Sequence, residues 1–251
     1  MIPIKTKNEI EKMRIAGEIA ANALHTAGKA IKPGVSTYEL DMIIRRYIET
    51  HGAKASFYKY EGFPGYSCIS VGSKVIHGIP SKKERLRDGD IVSIDVGAYK
   101  DGFHGDTAYT FACGKVAPET AKLLEETNKA LYLAIEAARI GNRLGDIGSA
   151  VENHCKRCGF SVVRDYVGHG VGRDLHESPE IPNFGNPGRG LRITKGMTLA
   201  LEPMVNLKGE EIRTLHDNWT VVTASGSPSA HFEHTVVITE DGAEILTLPT
   251  V

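Results

Sequence analysis

The chain of 251 residues is 41% hydrophobic and 24% charged, which is the composition of an ordinary globular protein. This composition excludes disordered, collagen-like and coiled-coil chains and leaves enough apolar material for a sizeable core. Lys and Arg together number 30, Asp and Glu number 31, and the formal net charge is −1. The total charge therefore gives no argument for nucleic-acid binding or for any other charged partner.

The amino-terminal segment, MIPIKTKNEIEK, carries charges within its first few residues and lacks the apolar stretch of a signal peptide. No run approaches the roughly 20 apolar residues that a membrane span needs. We therefore expect a soluble, cytoplasmic protein with no membrane partner.

Four cysteines are present, Cys68, Cys113, Cys155 and Cys158, and they do not form the pattern of a disulfide framework. The Cys155-x-x-Cys158 pair ends a predicted helix, whereas a redox pair normally begins a helix after a strand. No second pair completes a zinc site. We interpret both as structural thiols.

Two helices are predicted at the start of the chain. Thr6 and Glu9 form a capping box, and so do Ser36 and Glu39. Apolar residues at helical spacing follow each box. Lys32-Pro33-Gly34 is predicted to end the first helix and His51-Gly52 the second.

Strand-like segments follow the helices: CISVG, DIVSIDVGAY and HGDTAYTFA. Lys100-Asp101-Gly102 is predicted to be the turn that joins the last two. The second half repeats the order, with helices predicted from Pro118 to Gly141 and up to Gly159. The strand-like segments SVVRDYVGHGVG, MTLALEPMVNL, WTVVTA and AHFEHTVVIT then complete the chain.

The two halves match in detail as well as in order. Gly89 and Asp95 bound an alternating strand, as do Gly196 and Glu202, with the carboxylate six residues after the glycine in both. Later in each half a carboxylate stands in a strand flanked by Phe and Thr: Asp106 and Glu233. We predict one domain, 1–251, made of two similar halves, about 1–114 and 115–251. The expected fold class is α+β, with helices packed on one face of a mostly antiparallel sheet.

The four duplicated acids do not follow the pattern of a solvent-exposed surface. Strand alternation places Asp95 on one face with Ile91 and Ser93, and Glu202 with Ala200. Any single strand acid is ordinarily exposed, but four at duplicated positions weaken that interpretation. Buried carboxylates must be neutralised, paired or bound to metal, and no matching lysines or arginines occur in these strands.

His169 lies between two glycines in the segment GHGVG. A lone strand histidine is more often a core residue than a ligand, but four nearby carboxylates reverse that preference. This oxygen-rich set does not suit a structural zinc ion. It suits two divalent first-row ions that share bridging carboxylates. The chain has no GxSxG elbow, P-loop, zincin HExxH or dinucleotide-binding glycine pattern.

The four acids and His169 lie in the segments IVSIDVGAYKDGFHGDT, GHGVGRDLHESP, GMTLALEP and FEHTVVIT, and the segment HGIPS precedes them. With these segments, the chain resembles the type I methionine aminopeptidases of the M24 metallopeptidases over about residues 2–250. The resemblance implies the duplicated pita-bread fold and removal of the N-terminal methionine by a hydroxide that bridges two metal ions. It implies that Asp95 binds one ion, that His169 and Glu202 bind the other, and that Asp106 and Glu233 bridge both. Glu202 would also handle the proton of the attacking water.

By the same resemblance, His77 and His176 are catalytic and hydrogen-bond the scissile peptide and its developing oxyanion. The methionine pocket would comprise Tyr60, Phe63, Cys68, Leu175 and Trp219, with Phe57 as a further candidate. The sequence departs from the family at three positions: the family often has Tyr at 63, Phe at 175 and Gln at 231, whereas this chain has Phe63, Leu175 and His231. These departures bear on pocket shape and kinetics and leave the ligand set unchanged.

The family likeness also implies the short bacterial form, because the chain lacks the zinc-binding extension of eukaryotic type I enzymes and the helical insertion of type II enzymes. The cofactors would be two divalent ions (Co, Mn, Fe, Ni or Zn). The substrates would be peptides and nascent chains with a small second residue, met near the ribosome, and the protein would be a monomer. Because the loop at Gly72-Ser73-Lys74 differs from relatives that bind a monovalent ion there, none is predicted.

Two alternatives remain. A proline-specific peptidase has the same ligands, but usually carries a further N-terminal domain for which 251 residues leave no room. A non-catalytic binding module on this fold would have lost metal ligands and would not need His77 and His176.

Overall fold

The computed structural model describes residues 2–250, and within them it has four α-helices, one 3₁₀ turn and fifteen strands. The helices are α1 (Lys7–Lys29), α2 (Thr37–Thr50), α3 (Pro118–Ala137) and α4 (Leu144–Cys158), and the 3₁₀ turn is Tyr60–Gly62. The strands are β1 (Lys54–Ala55), β2 (Cys68–Val71), β3 (Lys74–Ile76), β4 (Ile91–Lys100), β5 (Phe103–Ala112), β6 (Ser161–Val162), β7 (Gly168–Gly170), β8 (Glu177–Ile181), β9 (Thr198–Leu201), β10 (Met204–Asn206), β11 (Ile212–Thr214), β12 (Val221–Thr223), β13 (Ser229–His231), β14 (Glu233–Ile238) and β15 (Ala243–Ile245).

The predicted helix starts are confirmed. Both capping boxes form at the amino termini of α1 and α2, so side chains satisfy backbone N–H groups that have no partner inside the helix. The predicted end of α3 at Gly141 is wrong. The helix ends at Ala137, and Ala138 leaves helical geometry with ψ of 70°. The side-chain amide of Asn142 donates to the backbone carbonyl of Ala137 at 2.9 Å. This contact caps the helix at Ala137, before Gly141.

The largest sheet has the strand order β1-β4-β5-β14-β9-β7-β8, with β2 added beside β4 and β15 beside β14. Its strand pairs are antiparallel. Two small sheets, β13-β10-β6 and β11-β12-β3, accompany it. Asp101 and Gly102 have φ of 50° and 89°, as in a tight hairpin turn between β4 and β5. The predicted α+β class with an antiparallel sheet is confirmed.

Three segments predicted as continuous strands are each divided in two. MTLALEPMVNL forms β9 in the large sheet and β10 in a small one, with Glu202 and Pro203 between them. Proline has no N–H group and cannot continue a hydrogen-bonded ladder. The segments 161–172 and 230–239 divide in the same way, into β6 and β7 and into β13 and β14. Glu202 therefore lies just beyond the end of a strand.

Helices cover the face of the large sheet opposite the acids. Ile94 and Val96 of β4 belong to an apolar cluster with α1 and α2. Leu199 of β9 and Val236 of β14 belong to a second cluster, with α3 and α4. Because side chains alternate along a strand, Asp95 points to the other face. Each half of the chain thus has its own apolar core beneath one shared polar face.

Two glycines allow α1 to lie directly on β5. A Cβ atom on Gly105 would come within 2.4 Å of the Cα of Gly17, and one on Gly17 within 2.3 Å of the carbonyl oxygen of Leu246. Such distances are shorter than any van der Waals contact, so larger residues would force the helix off the strand that carries Asp106. No helix within residues 2–250 is both long and apolar enough to cross a membrane.

Candidate metal centre

Five neighbouring strands of the large sheet each contribute one predicted ligand. In the sheet order β4-β5-β14-β9-β7, these are, respectively, Asp95, Asp106, Glu233, Glu202 just after β9, and His169. Ligand atoms of Asp106, His169 and Glu233 all lie within 4.8 Å of one another. Nε2 of His169 is 3.5 Å from Oε1 of Glu202. Residues from distant parts of the chain therefore meet at one point.

The carboxylates are buried without compensating cations. Oδ1 of Asp95, Oδ1 of Asp106 and Oε1 of Glu233 are buried and have no hydrogen-bond partner in the structure. No Lys or Arg is among the described residues that line the cavity around them. Buried polar atoms without partners are costly, and bound cations would satisfy these oxygens. The residues therefore fit divalent metal ions.

Burial changes the pKa of each acid, and repulsion from neighbouring carboxylates adds to it at Asp95, Glu202 and Glu233. Burial raises the pKa values of Asp95, Glu202 and Glu233 well above their usual range and that of Asp106 to about 7. Desolvation is the largest cause at all four. Without a cation the cluster therefore holds protons, which bound metal would displace.

His169 is oriented as a ligand. Its Nδ1 lies 2.8 Å from the carbonyl oxygen of Gly170, so the ring donates there and the Nε2 lone pair faces the carboxylates. Burial lowers the pKa of His169 to about 4. The imidazole is therefore neutral at pH 7, the form that binds metal.

His231, one of the departures from the family pattern, lies behind Glu202. Its Nε2 is 3.5 Å from Oε2 of Glu202 and has no hydrogen-bond partner among the described residues. Burial lowers the pKa of His231 to about 3. A neutral imidazole thus stands against the carboxylate that ends β9.

All the other predicted site residues line the same cavity of about 500 Å³. Its apolar part is a cluster of side chains beside the carboxylates, and Cys68 pairs directly opposite Asp95 across β2 and β4. The rings of Phe63 and Trp219 meet edge to face at 5.1 Å. The cluster consists of Phe57, Phe63, Cys68 and Leu175, with Tyr60, Ile79 and Trp219 packed against it.

His77 has an unusual backbone conformation. Its φ is 56°, a left-handed value that non-glycine residues rarely adopt and that is often found at functional sites. Tyr166 meets the imidazole edge-on at 5.5 Å. Burial lowers the pKa of His77 to about 4. No motif in the sequence indicated Tyr166, although it stands three residues before His169.

His176 is held by a phenol and lies against His169. The hydroxyl of Tyr60 is 2.9 Å from its Nδ1, and the rings of His176 and His169 are 4.4 Å apart. The next residue, Glu177, forms a buried ion pair with Lys5. Glu177 also accepts from the backbone N–H of Arg173 at 2.8 Å. The amino-terminal segment thus anchors the loop that carries Leu175 and His176, which no local sequence signal indicated.

Asp41 of α2 holds the segment that leads into Cys68, which lines the cavity. Its Oδ1 accepts hydrogen bonds from the backbone N–H of Tyr66 at 3.0 Å, and from the N–H and hydroxyl of Ser67, both at 2.8 Å. This carboxylate fixes the end of the loop that leads into Cys68. No local pattern of residues in the sequence predicts this contact.

Comparison with known proteins agrees with this geometry. Residues 11–240 match the model of metallopeptidase family M24. A methionine aminopeptidase of Clostridium perfringens is 50% identical over 248 residues, 99% of each chain. The crystal structure of a methionine aminopeptidase from Thermotoga maritima superposes with a TM-score of 0.98 at 45% identity, covering 99% of this chain and 100% of that one. A prolidase from Pyrococcus furiosus superposes with a TM-score of 0.79 at 28% identity, covering 99% of this chain and 66% of that one.

The fold and the cavity define a metallopeptidase with the pita-bread arrangement of strands and helices. The chain belongs to metallopeptidase family M24. Its cofactors are divalent metal ions.

Proposed function

We propose that this chain removes the N-terminal methionine from peptides and nascent proteins whose second residue is small. The observation that carries this function is an apolar, sulfur-containing pocket placed directly beside a buried cluster of four carboxylates and a histidine. The chain is a metal-dependent aminopeptidase, a hydrolase of peptide bonds that acts in protein maturation.

The metal ligands are Asp95, Asp106, His169, Glu202 and Glu233. Asp95 would hold one ion, His169 and Glu202 would hold the other, and Asp106 and Glu233 would serve both. When bound, two divalent ions (Co, Mn, Fe, Ni or Zn) supply Lewis acidity and lower the pKa of a water molecule towards about 7. Glu202 would hold the proton of the attacking water, a role supported by its position at the strand end beside His169 and His231.

His77 and His176 orient the scissile peptide. Burial lowers the pKa of both rings, so each is a neutral donor at pH 7. We assign the hydroxyl of Tyr60 as the donor to Nδ1 of His176 in their 2.9 Å contact, which leaves the proton of that ring on Nε2, free to donate to the substrate carbonyl. A donor fixed in advance stabilises the charge that develops on that oxygen.

The apolar cluster would hold the methionine side chain. A thioether packs well against aromatic rings and soft sulfur, and Phe63, Trp219 and Cys68 provide both. Burial raises the pKa of Cys68 well above its usual range, so the thiol is neutral in the pocket. Tyr60 and Leu175 complete the pocket.

A proline-specific peptidase is the competing activity. The prolidase of Pyrococcus furiosus is 28% identical, whereas the methionine aminopeptidase of Clostridium perfringens is 50% identical. The large apolar pocket favours a long unbranched side chain at the first position. A binding module has no use for the buried acids without partners.

We also propose that the chain is a monomer in the cytoplasm and meets deformylated chains near the ribosome. We propose further that it is one domain made of two similar halves, 1–114 and 115–251. The separate apolar cores of the two halves support the last point.

Peptide hydrolysis tests the function. Met-Ala-Ser and Ala-Pro are each incubated with the chain during titration with Co, Mn, Fe, Ni and Zn. We expect release of methionine from the first peptide with at least one metal, and no cleavage of the second. Absence of methionine release with all five metals would contradict an aminopeptidase, and cleavage of Ala-Pro alone would identify the proline-specific alternative.

A further inference from the structure

A second group of metal-ligating side chains lies away from the cavity, between α3 and α4. Glu126 stands on α3, and His154 and Cys158 stand one turn apart on α4. None of the three lines the cavity of the carboxylate centre. The donor atoms of the three residues all lie within 4.8 Å of one another.

The distances within this group suit tetrahedral coordination. Nε2 of His154 is 2.9 Å from Oε2 of Glu126. Sγ of Cys158 is 3.5 Å from the same oxygen and 3.9 Å from Nε2 of His154. Zinc bonds of about 2.1 Å to N and O and about 2.3 Å to S place the corners of a tetrahedron roughly 3.4–3.6 Å apart. The three atoms therefore nearly outline one face of a zinc tetrahedron.

The surroundings leave the group available. The side chains of His154 and Glu126 are 14% and 15% exposed, so an ion has a path from solvent and water can take the fourth position. The ammonium group of Lys129 donates a hydrogen bond to Oε1 of Glu126. The other carboxylate oxygen, Oε2, is the one that would bind the metal. The spacing of four residues puts His154 and Cys158 on one face of α4, as helical metal sites require.

The structure also separates the two members of the Cys155-x-x-Cys158 pair. Cys155 is 1% exposed and belongs to the apolar core of the second half, whereas Cys158 packs against the edge of that core, is partly exposed and places its Sγ 3.5 Å from Oε2 of Glu126. Residues three apart lie near each other on one helix face, so burial is what distinguishes the two cysteines, with Cys155 buried and Cys158 partly exposed. Only Cys158 is therefore a ligand candidate.

We propose that Glu126, His154 and Cys158 form a second metal site, which takes one zinc ion and joins α3 to α4. On binding, the Cys158 thiol loses its proton to solvent as the Sγ–zinc bond forms, His154 binds through the Nε2 lone pair, and Glu126 binds as a carboxylate. Such a mixed sulfur, nitrogen and oxygen set favours zinc over Mg²⁺ or Ca²⁺. The site is independent of the peptidase reaction.

Cobalt(II) distinguishes this site from the carboxylate centre because only a thiolate ligand gives a near-ultraviolet sulfur-to-cobalt charge-transfer band. We expect the full chain to develop this band on titration with Co²⁺. Cys158→Ser should abolish it, and Glu126→Gln should weaken cobalt binding at least tenfold. Cys113→Ser, a buried cysteine outside the cluster, serves as the control and should keep the band.

Zinc analysis provides the second measurement. The full chain should retain one more zinc ion per molecule than Cys158→Ser, and both should release methionine from Met-Ala-Ser at equal rates, which also shows that the variant is folded. Absence of the band, its survival in Cys158→Ser, or its loss in Cys68→Ser instead would overturn the site. Equal zinc content in the full chain and in both the Cys158→Ser and Glu126→Gln variants would also overturn it.

Discussion

The hydroxyl of Tyr60 lies 2.9 Å from Nδ1 of His176, although 116 residues separate them in the chain. This contact joins the wall of the methionine pocket to the histidine assigned to the substrate carbonyl. It makes the orientation of the imidazole, and the nitrogen that carries its proton, depend on a residue of the pocket.

Tyr60→Phe should therefore slow catalysis while preserving the pocket's shape. Loss of one such hydrogen bond, about 1–1.5 kcal/mol, corresponds to a fall of about tenfold in kcat/KM. Steady-state kinetics on Met-Ala-Ser measure it, with Tyr132→Phe, an exposed tyrosine of α3, as the control. Equal rates for the Tyr60 variant and the parent would show that the phenol does not orient His176.

His169→Ala should remove metal-dependent turnover and leave the fold largely intact. Removing a residue that hydrogen-bonds a metal ligand lowers metal affinity or activity about 10–100-fold. Removing a ligand itself should therefore lower them by more than that. Metal analysis after dialysis should show less than the parent's metal content, and circular dichroism should be unchanged. A variant that kept both metal and activity would place His169 outside the centre.

His77→Ala should separate rate from metal binding. The imidazole faces the cavity but is not among the ligand atoms gathered around Asp106, so the rate should fall about 100-fold or more with metal content unchanged. The two measurements are made on the same preparation. A loss of metal in this variant would mean that His77 is a ligand and not a substrate donor.

Asp41 gives a pH-dependent stability prediction. Burial raises the pKa of this carboxyl to about 6 in the folded state, against about 4 in the unfolded chain. Between these values the unfolded state has lost the proton that the folded state keeps, so stability falls as pH rises from about 4 to about 6. The shift of about two units corresponds to roughly 3 kcal/mol.

Asp41→Asn keeps the acceptor oxygen and removes the titration. The free energy of unfolding is measured with urea at pH 4, 5, 6 and 7. The parent should lose stability relative to the variant between pH 4 and pH 6, with little further change from pH 6 to pH 7. A difference between the two that does not change with pH would refute the assignment.

The Lys5–Glu177 pair is buried, with side chains 4% and 7% exposed. Lys5→Met leaves the carboxylate of Glu177 without its cation, which should lower the free energy of unfolding by about 3–5 kcal/mol. Lys195→Met breaks an exposed pair with Glu240 and should cost less than about 1 kcal/mol. Urea unfolding compares the two, and equal small losses would show that Lys5 does not anchor the loop of His176.

Local signals in the sequence predicted the helix starts, the alternating strands and the fold class. A capping box or an alternation of side chains is decided within a few residues, so Thr6 with Glu9, or Asp95 opposite Ile94, can be recognised without knowing the rest of the molecule. Comparison of the two halves pointed to the four acids, and the family resemblance added the roles that we propose for them and for His169. The end of α3 was mispredicted because the amide of Asn142, and not the glycine, terminates it.

The sequence by itself thus determined the class of fold and pointed to the acids and the histidine that we propose as metal ligands. Only the tertiary structure decided how they are held: Glu202 beyond the end of β9, His176 against Tyr60, Lys5 on Glu177, and Cys158 beside Glu126. The partners in these last three contacts are 116, 172 and 32 residues apart. Such pairs depend on how the sheet and helices pack, and no local spacing of residues encodes that packing.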